Sequence, residues 1–167
     1  MLNSNNIEDI KEIRKYLDEN IYSIIYKEIS GDLNYFFNPF PKLDSVKNNM
    51  MRFNTKIRKI YELFLLGCED DYDILCDILG EKIILALLRV GFLINKNNRI
   101  LSDGYSIVAY LDYYFVVATP NYYINAGKNQ EIYIGMDSYR LTNILPHRES
   151  YHNFLDLCTG SGIQAIV

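Results

Sequence analysis

The sequence predicts an α+β protein, helical at first and β-rich afterwards. Three observations predict it. Apolar residues recur at helical spacing through most of the first ninety positions. A Val-, Ile- and Tyr-rich stretch, YSIVAYLDYYFVVATPNYYI, follows at 105–124. The chain then ends on FLDLCTGSGIQAIV, which reads as a buried strand, a glycine loop and the first turns of a helix.

The first element runs from Asn6. Ile7, Ile10, Ile13, Leu17, Ile21, Ile24 and Ile25 repeat at intervals of three and four. Asn6 is placed to cap this helix, and Glu8 and Asp9 suit its positive end. A break is expected near Asn20, with Ser23 capping a second helix that stops at Gly31. NYFFNPFPKLD, with its two prolines, predicts an irregular connection.

From Ser45, the positions Val46, Met50, Phe53, Ile57, Ile60 and Phe64 predict one long amphipathic helix, or two joined near Thr55. Gly67 stops it. A short helix to Leu79, a break at Gly80 and a helix from Glu81 to Val90 closed by Gly91 come next. FLI and RIL then flank KNN as a hairpin. Helix, tight turn, helix, two-stranded wing is the order of a winged helix.

The stretch after 105 predicts strands, and EIYIG a further one. DSYRLTNILP predicts a helix capped by Asp137 or Ser138, with Pro146 beyond its end. NFLDLC has the nearly unbroken apolar run of a parallel strand buried on both faces. The expected domains are a helical winged-helix-like unit at 1–104, a β-rich linker at 105–136 and the start of a further domain at 137–167.

Composition narrows the function. Lys and Arg total 17 against 21 Asp and Glu, a net charge of 17 − 21 = −4, which weighs against a dedicated nucleic-acid binder. Cys68, Cys76 and Cys158 form no CxxC pair, so a reduced cytoplasmic setting is expected. No apolar run reaches bilayer length, and no membrane partner is expected. His147 and His152 stand apart from any carboxylate or thiol at ligand spacing, so no metal is expected. No nucleophile–base pair is visible, and no catalytic residue is named.

The glycine loop carries the chemistry. Gly160 and Gly162 allow a ligand to lie on the main chain, and the following helix start offers unpaired N–H groups. Asp156, four residues before Gly160, would repel a pyrophosphate and suits a cofactor with a cationic end. A dinucleotide reading of Gly-x-Gly-x-x-Ala is disfavoured on that ground.

LDLCTGSGIQA at 155–165 resembles motif I of the class I S-adenosylmethionine-dependent methyltransferases. YIGMDSYRLTNILP at 133–146 resembles the lead-in helix of their "small domain" group, which includes glutamine and ribosomal guanine methyltransferases. IRKIYELFLLG and LGEKIILALLRVGFLI are similar to what precedes motif I in a bacterial group of such enzymes. Cys158 stands where the family usually has its first motif glycine.

The resemblance implies a Rossmann-like catalytic domain, with S-adenosylmethionine as cofactor. Asp156, Thr159, Gly160, Ser161 and Gly162 would line its loop, and Asp137 and Ser138 would lie on the cofactor side of the lead-in helix. It implies N-methylation of a protein side chain or a nucleic-acid base, with recognition by the N-terminal domain. The family's Asn-Pro-Pro-Tyr type loop is not found here, so the expectation is a catalytic domain truncated just after motif I. By itself such a chain would be inactive, with weak cofactor affinity and a last strand free to pair with another copy. The alternative is a non-enzymatic winged-helix module for nucleic acid or protein.

Three further features have two readings each. Lys42, Lys47, Arg52, Lys56, Arg58 and Lys59 could meet phosphates or form a solvated helix face. EKIILALLRV could be a recognition helix but is too apolar to read base edges, so packing is expected. Tyr110, Tyr113, Tyr114, Tyr122 and Tyr123 could stack on bases or sit half-buried in sheets. Cys68 and Cys76 are expected as small core residues.

Overall fold

The computed structural model describes residues 5–30 and 43–118, together with Asn3, Ser138, Leu141 and Thr142. Six helices and five strands occupy these residues: α1 (Ile7–Glu19), α2 (Tyr22–Ser30), α3 (Leu43–Met50), α4 (Thr55–Phe64), β1 (Asp70–Asp71), α5 (Tyr72–Leu79), α6 (Glu81–Arg89), β2 (Leu93–Lys96), β3 (Arg99–Ser102), β4 (Tyr105–Tyr110) and β5 (Tyr113–Ala118). The fold is α+β, with small antiparallel sheets.

Helix ends follow local chemistry. Asn54 caps α4, its side chain accepting from the Ile57 N–H. Asp71 caps α5, accepting from the N–H groups of Asp73 and Ile74. Gly80 joins α5 to α6 at φ 95°, a left-handed backbone that a side chain resists. Met50 and Thr55 bound the break between α3 and α4, so of the two expected arrangements the one observed is two helices joined near Thr55.

Asn6 takes the N-cap position of α1 but makes no capping bond. Its Nδ2 donates instead to the Arg89 carbonyl. The expected cap at Ser23 is corrected. The turn lies at Asn20–Ile21, α2 starts at Tyr22, and Ser23 sits inside it. Ile21 takes φ 48° there, a left-handed conformation that costs a β-branched residue heavily.

The three-stranded sheet has the order β1-β3-β2. β2 and β3 pair from Leu93↔Ser102 to Lys96↔Arg99, around a turn in which Asn97 and Asn98 both have positive φ. This is the hairpin expected at KNN, with the twist that such turns favour. β1 was not expected. Its two aspartates pair with Ile100 and Arg99, far along the chain. β4 and β5 form a second hairpin, from Tyr105↔Ala118 to Tyr110↔Tyr113.

One apolar core joins these elements, from Tyr16 in α1 to Val117 in β5. The Tyr22 and Tyr61 rings stack with centroids 4.5 Å apart and planes 6° apart. The Tyr22 hydroxyl donates to the Ile107 carbonyl at 2.9 Å, and the Tyr61 hydroxyl donates to the Tyr22 carbonyl. Phe64 meets Phe92 edge-on at 6.0 Å. The Ser106 hydroxyl donates to the Leu65 carbonyl at 2.7 Å, tying β4 to the end of α4.

Phe64→Ala is expected to destabilise by about 3–5 kcal/mol, because Phe64 is fully buried and leaves a cavity. Asn54→Ala is expected to cost about 1 kcal/mol through the lost cap. Urea unfolding followed by circular dichroism measures both.

Candidate functional site

Of the seven residues expected to hold a cofactor, only Ser138 lies among the described residues. Its carbonyl accepts a hydrogen bond from the Thr142 hydroxyl at 3.0 Å, an i to i+4 contact within a helical turn. That agrees with the helix expected over DSYRLTNILP. Asp137, Asp156, Thr159, Gly160, Ser161 and Gly162 lie outside the described residues. So do the strands expected at EIYIG and NFLDLC, and Tyr122, Tyr123, His147, His152 and Cys158.

Among the described residues, the polar chemistry concentrates where α1 crosses α6. Arg89 donates to both carboxylate oxygens of Asp9, at 2.6 and 2.9 Å. Lys82 pairs with Glu12 at 2.8 Å. These two cations flank Ala86 along one edge of the helix, whose apolar side buries Ile83, Ile84, Ala86 and Leu87. The expectation that EKIILALLRV packs is correct for that apolar side. The edge with the two cations meets α1.

A cavity of about 220 Å³ lies beneath α1. Ile10 and Ile13 of α1, Leu87 and Val90 of α6 and its cap, and Ile107 and Val116 of the second hairpin line it, with Phe92 and Asn3. The Asn3 N–H donates to the Val90 carbonyl at 2.8 Å, so the chain start is fastened at its edge. The lining is nearly all apolar, and such a space favours uncharged apolar atoms over water.

The β2–β3 hairpin is held at its turn. Asn98 Nδ2 donates to Asp71 and Asp73, at 3.3 and 3.4 Å, and the Asn98 carbonyl accepts from the Tyr72 N–H at 2.9 Å. Arg99 pairs with Glu69 at 3.2 Å, and Lys59 pairs with Asp70 at 2.6 Å and Glu62 at 2.9 Å. Residues 55–102 carry seven Lys or Arg and seven Asp or Glu, a net of 7 − 7 = 0. Four of the seven cations, Lys59, Lys82, Arg89 and Arg99, are in ion pairs. Of the remaining expected basic residues, Lys56 lies over the Tyr16 ring and Arg58 reaches Thr55 and Met51.

Proton chemistry is quiet among the described residues. Burial pushes the Tyr16 hydroxyl up to about 12 and raises Tyr22 and Tyr61 well above the phenol range. Tyr114 is pushed up to about 12 by burial and by donating to Asp18. Burial raises both Cys68 and Cys76, which are half-buried thiols, as core-type cysteines should be. None of these groups ionises near neutrality, so none is an activated nucleophile or base.

No family model and no curated protein matches this sequence.

Sequence reading missed both cross-helix ion pairs. Their partners are 80 and 70 positions apart, and only the fold brings them together. An alternation of acids at Asp9 and Glu12 with apolar neighbours was the one available signal.

Acid sensitivity follows from these pairs. The Asp9 carboxyl is held below its ordinary value chiefly by hydrogen bonds from Arg89, and Glu12 chiefly by Lys82. Burial works to raise Asp70, but bonds from Lys59 and the Asp71 N–H outweigh it and leave it lowered. A lowered folded-state value stabilises the fold above the unfolded carboxylate range. That stability is lost as pH falls through the folded value. Urea midpoints are expected to drop between about pH 5 and pH 2, and less so in an Asp9→Asn/Asp70→Asn variant.

Proposed function

We propose that the protein is an S-adenosylmethionine-dependent methyltransferase of the small-domain group, acting on a nitrogen of a protein side chain or a nucleic-acid base. The observation that carries this reading is the string LDLCTGSGIQA, with Asp156 four residues before Gly160. A carboxylate beside bare glycine backbone matches a cationic, phosphate-free donor. It does not match a dinucleotide. The cofactor, when bound, supplies the electrophilic methyl group. The chain's own contribution is the cradle of Asp156, Thr159, Gly160, Ser161 and Gly162, with Asp137 and Ser138 on the lead-in helix. Rate enhancement would come mainly from holding the acceptor nitrogen in line with that methyl.

Within this reading, residues 55–102 are a winged-helix unit that positions the substrate. The supporting observation is the order α4-β1-α5-α6-β2-β3 with strands arranged β1-β3-β2. The pairing of Lys82 and Arg89 with α1 weighs against α6 entering a nucleic-acid groove. The acids Asp73 and Asp77 on α5, and Asp71 at its cap, weigh the same way. Among the described residues, no helix is long and apolar enough to cross a membrane.

The second reading, a non-enzymatic winged-helix module, rests on the same element order. An electrophoretic shift of duplex DNA at physiological salt would favour it.

The cofactor test is an NMR titration. S-adenosylmethionine is expected to shift the amides of Asp156–Gly162, and NAD to leave them in place. Asp156→Asn is expected to weaken the methyl donor's binding by about tenfold or more, since it removes a charged partner. Shifts produced by NAD and absent with S-adenosylmethionine would overturn the assignment.

A further inference from the structure

We propose that α1 is an exchangeable element and that its partner is a second copy of this chain. In the exchanged dimer, α1 of each copy lies on α6 of the other, and α1 and α2 join into one continuous helix.

The hinge argues for it first. Only Asn20 and Ile21 separate α1 from α2. Ile21, branched at Cβ, is held at φ 48° to make the reversal. A short connection under strain is the usual origin of exchanged dimers. Straightening the connection returns Ile21 to the right-handed region and removes the strain.

The seat argues for it next. α1 is held by contacts with distant parts of the chain: Asp9 with Arg89, Glu12 with Lys82, Arg14 with the Asp112 carbonyl and Asp18 with the Tyr114 hydroxyl. Acids on α1 face bases on α6, so the complementarity works equally well between copies. Beneath α1, only Tyr16 and Leu17 are fully buried, and the 220 Å³ cavity leaves its first turns thinly packed.

The new contact argues for it last. Ile21 and Ile24 are 50% and 57% exposed at the hinge. On a straightened helix they stand three residues apart on one face. Two such helices crossing at the hinge cover both residues.

The test uses complementary charge reversal. One chain carries Asp9→Arg and Glu12→Lys. The other carries Lys82→Glu and Arg89→Asp. In either chain alone, α1 and α6 repel. In a mixed exchanged dimer, both α1–α6 seats are attractive. After co-refolding, native mass spectrometry is expected to find the mixed dimer as the main dimeric species. Wild type is expected to form a dimer that rises with concentration. In Ile21→Gly the reversal is no longer strained and the straight helix is weakened, so its dimer dissociation constant is expected to rise about tenfold or more. Two folded variants that stay separate on mixing would overturn the proposal. So would an Ile21→Gly protein that dimerises as strongly as wild type, and this result decides the matter even if the charge variants fail to fold.

Discussion

Tyr22 is the point on which the described fold turns. Its ring stacks on Tyr61 of α4, its hydroxyl donates to Ile107 of β4, and its carbonyl accepts from the Tyr61 hydroxyl. Burying a phenol is less costly where its O–H finds an acceptor, so each of these bonds helps fix where the next element lies. Tyr22 thus places the second hairpin against α2 and α4. The hairpin in turn supplies Ile107 and Val116 to the wall facing α1. Loss of the Tyr22 hydroxyl removes a donor from the Ile107 carbonyl, and loss of the Tyr61 hydroxyl removes one from the Tyr22 carbonyl.

Charge is spent internally in this protein. The cations of α6 and β3 that would face a polyanion are matched by carboxylates of α1 and of the β1 approach. Residues 55–102 carry as many acids as bases, and four of their seven cations are held in ion pairs. That pairing reduces the basic surface that these residues could offer to a polyanion.

Much of the helical order was legible because burial imposes a period of 3.6. The Ile60, Phe64 and Ile83, Ile84, Leu87 faces lie where their spacing put them. The β2–β3 hairpin was legible from Asn97-Asn98, residues that tolerate positive φ. What escaped was non-local or against propensity. The α1–α2 break was expected near Asn20, where it lies, but Ile21 is among the least expected residues for a left-handed turn, so the start of α2 was placed too late, with its cap at Ser23. β1 was not foreseen, because its partner strand lies about thirty residues on. The tyrosines divide by place along the hairpin, not by strand face: Tyr110 is buried and Tyr114 half-buried, while Tyr113, the cross-strand partner of Tyr110 beside the turn, is exposed. The candidate cofactor loop was legible as chemistry alone, through Asp156 and its two glycines.

The Tyr22 ties also carry a temporal meaning. Its partners stand 39 and 85 residues further along the chain. Local helices form fast, but a contact this distant must wait for a large loop to close. On the ribosome, α1 and α2 emerge well before β4 exists. They are helices without a core until the hairpin arrives, so completion of this region follows the synthesis of residues past 107.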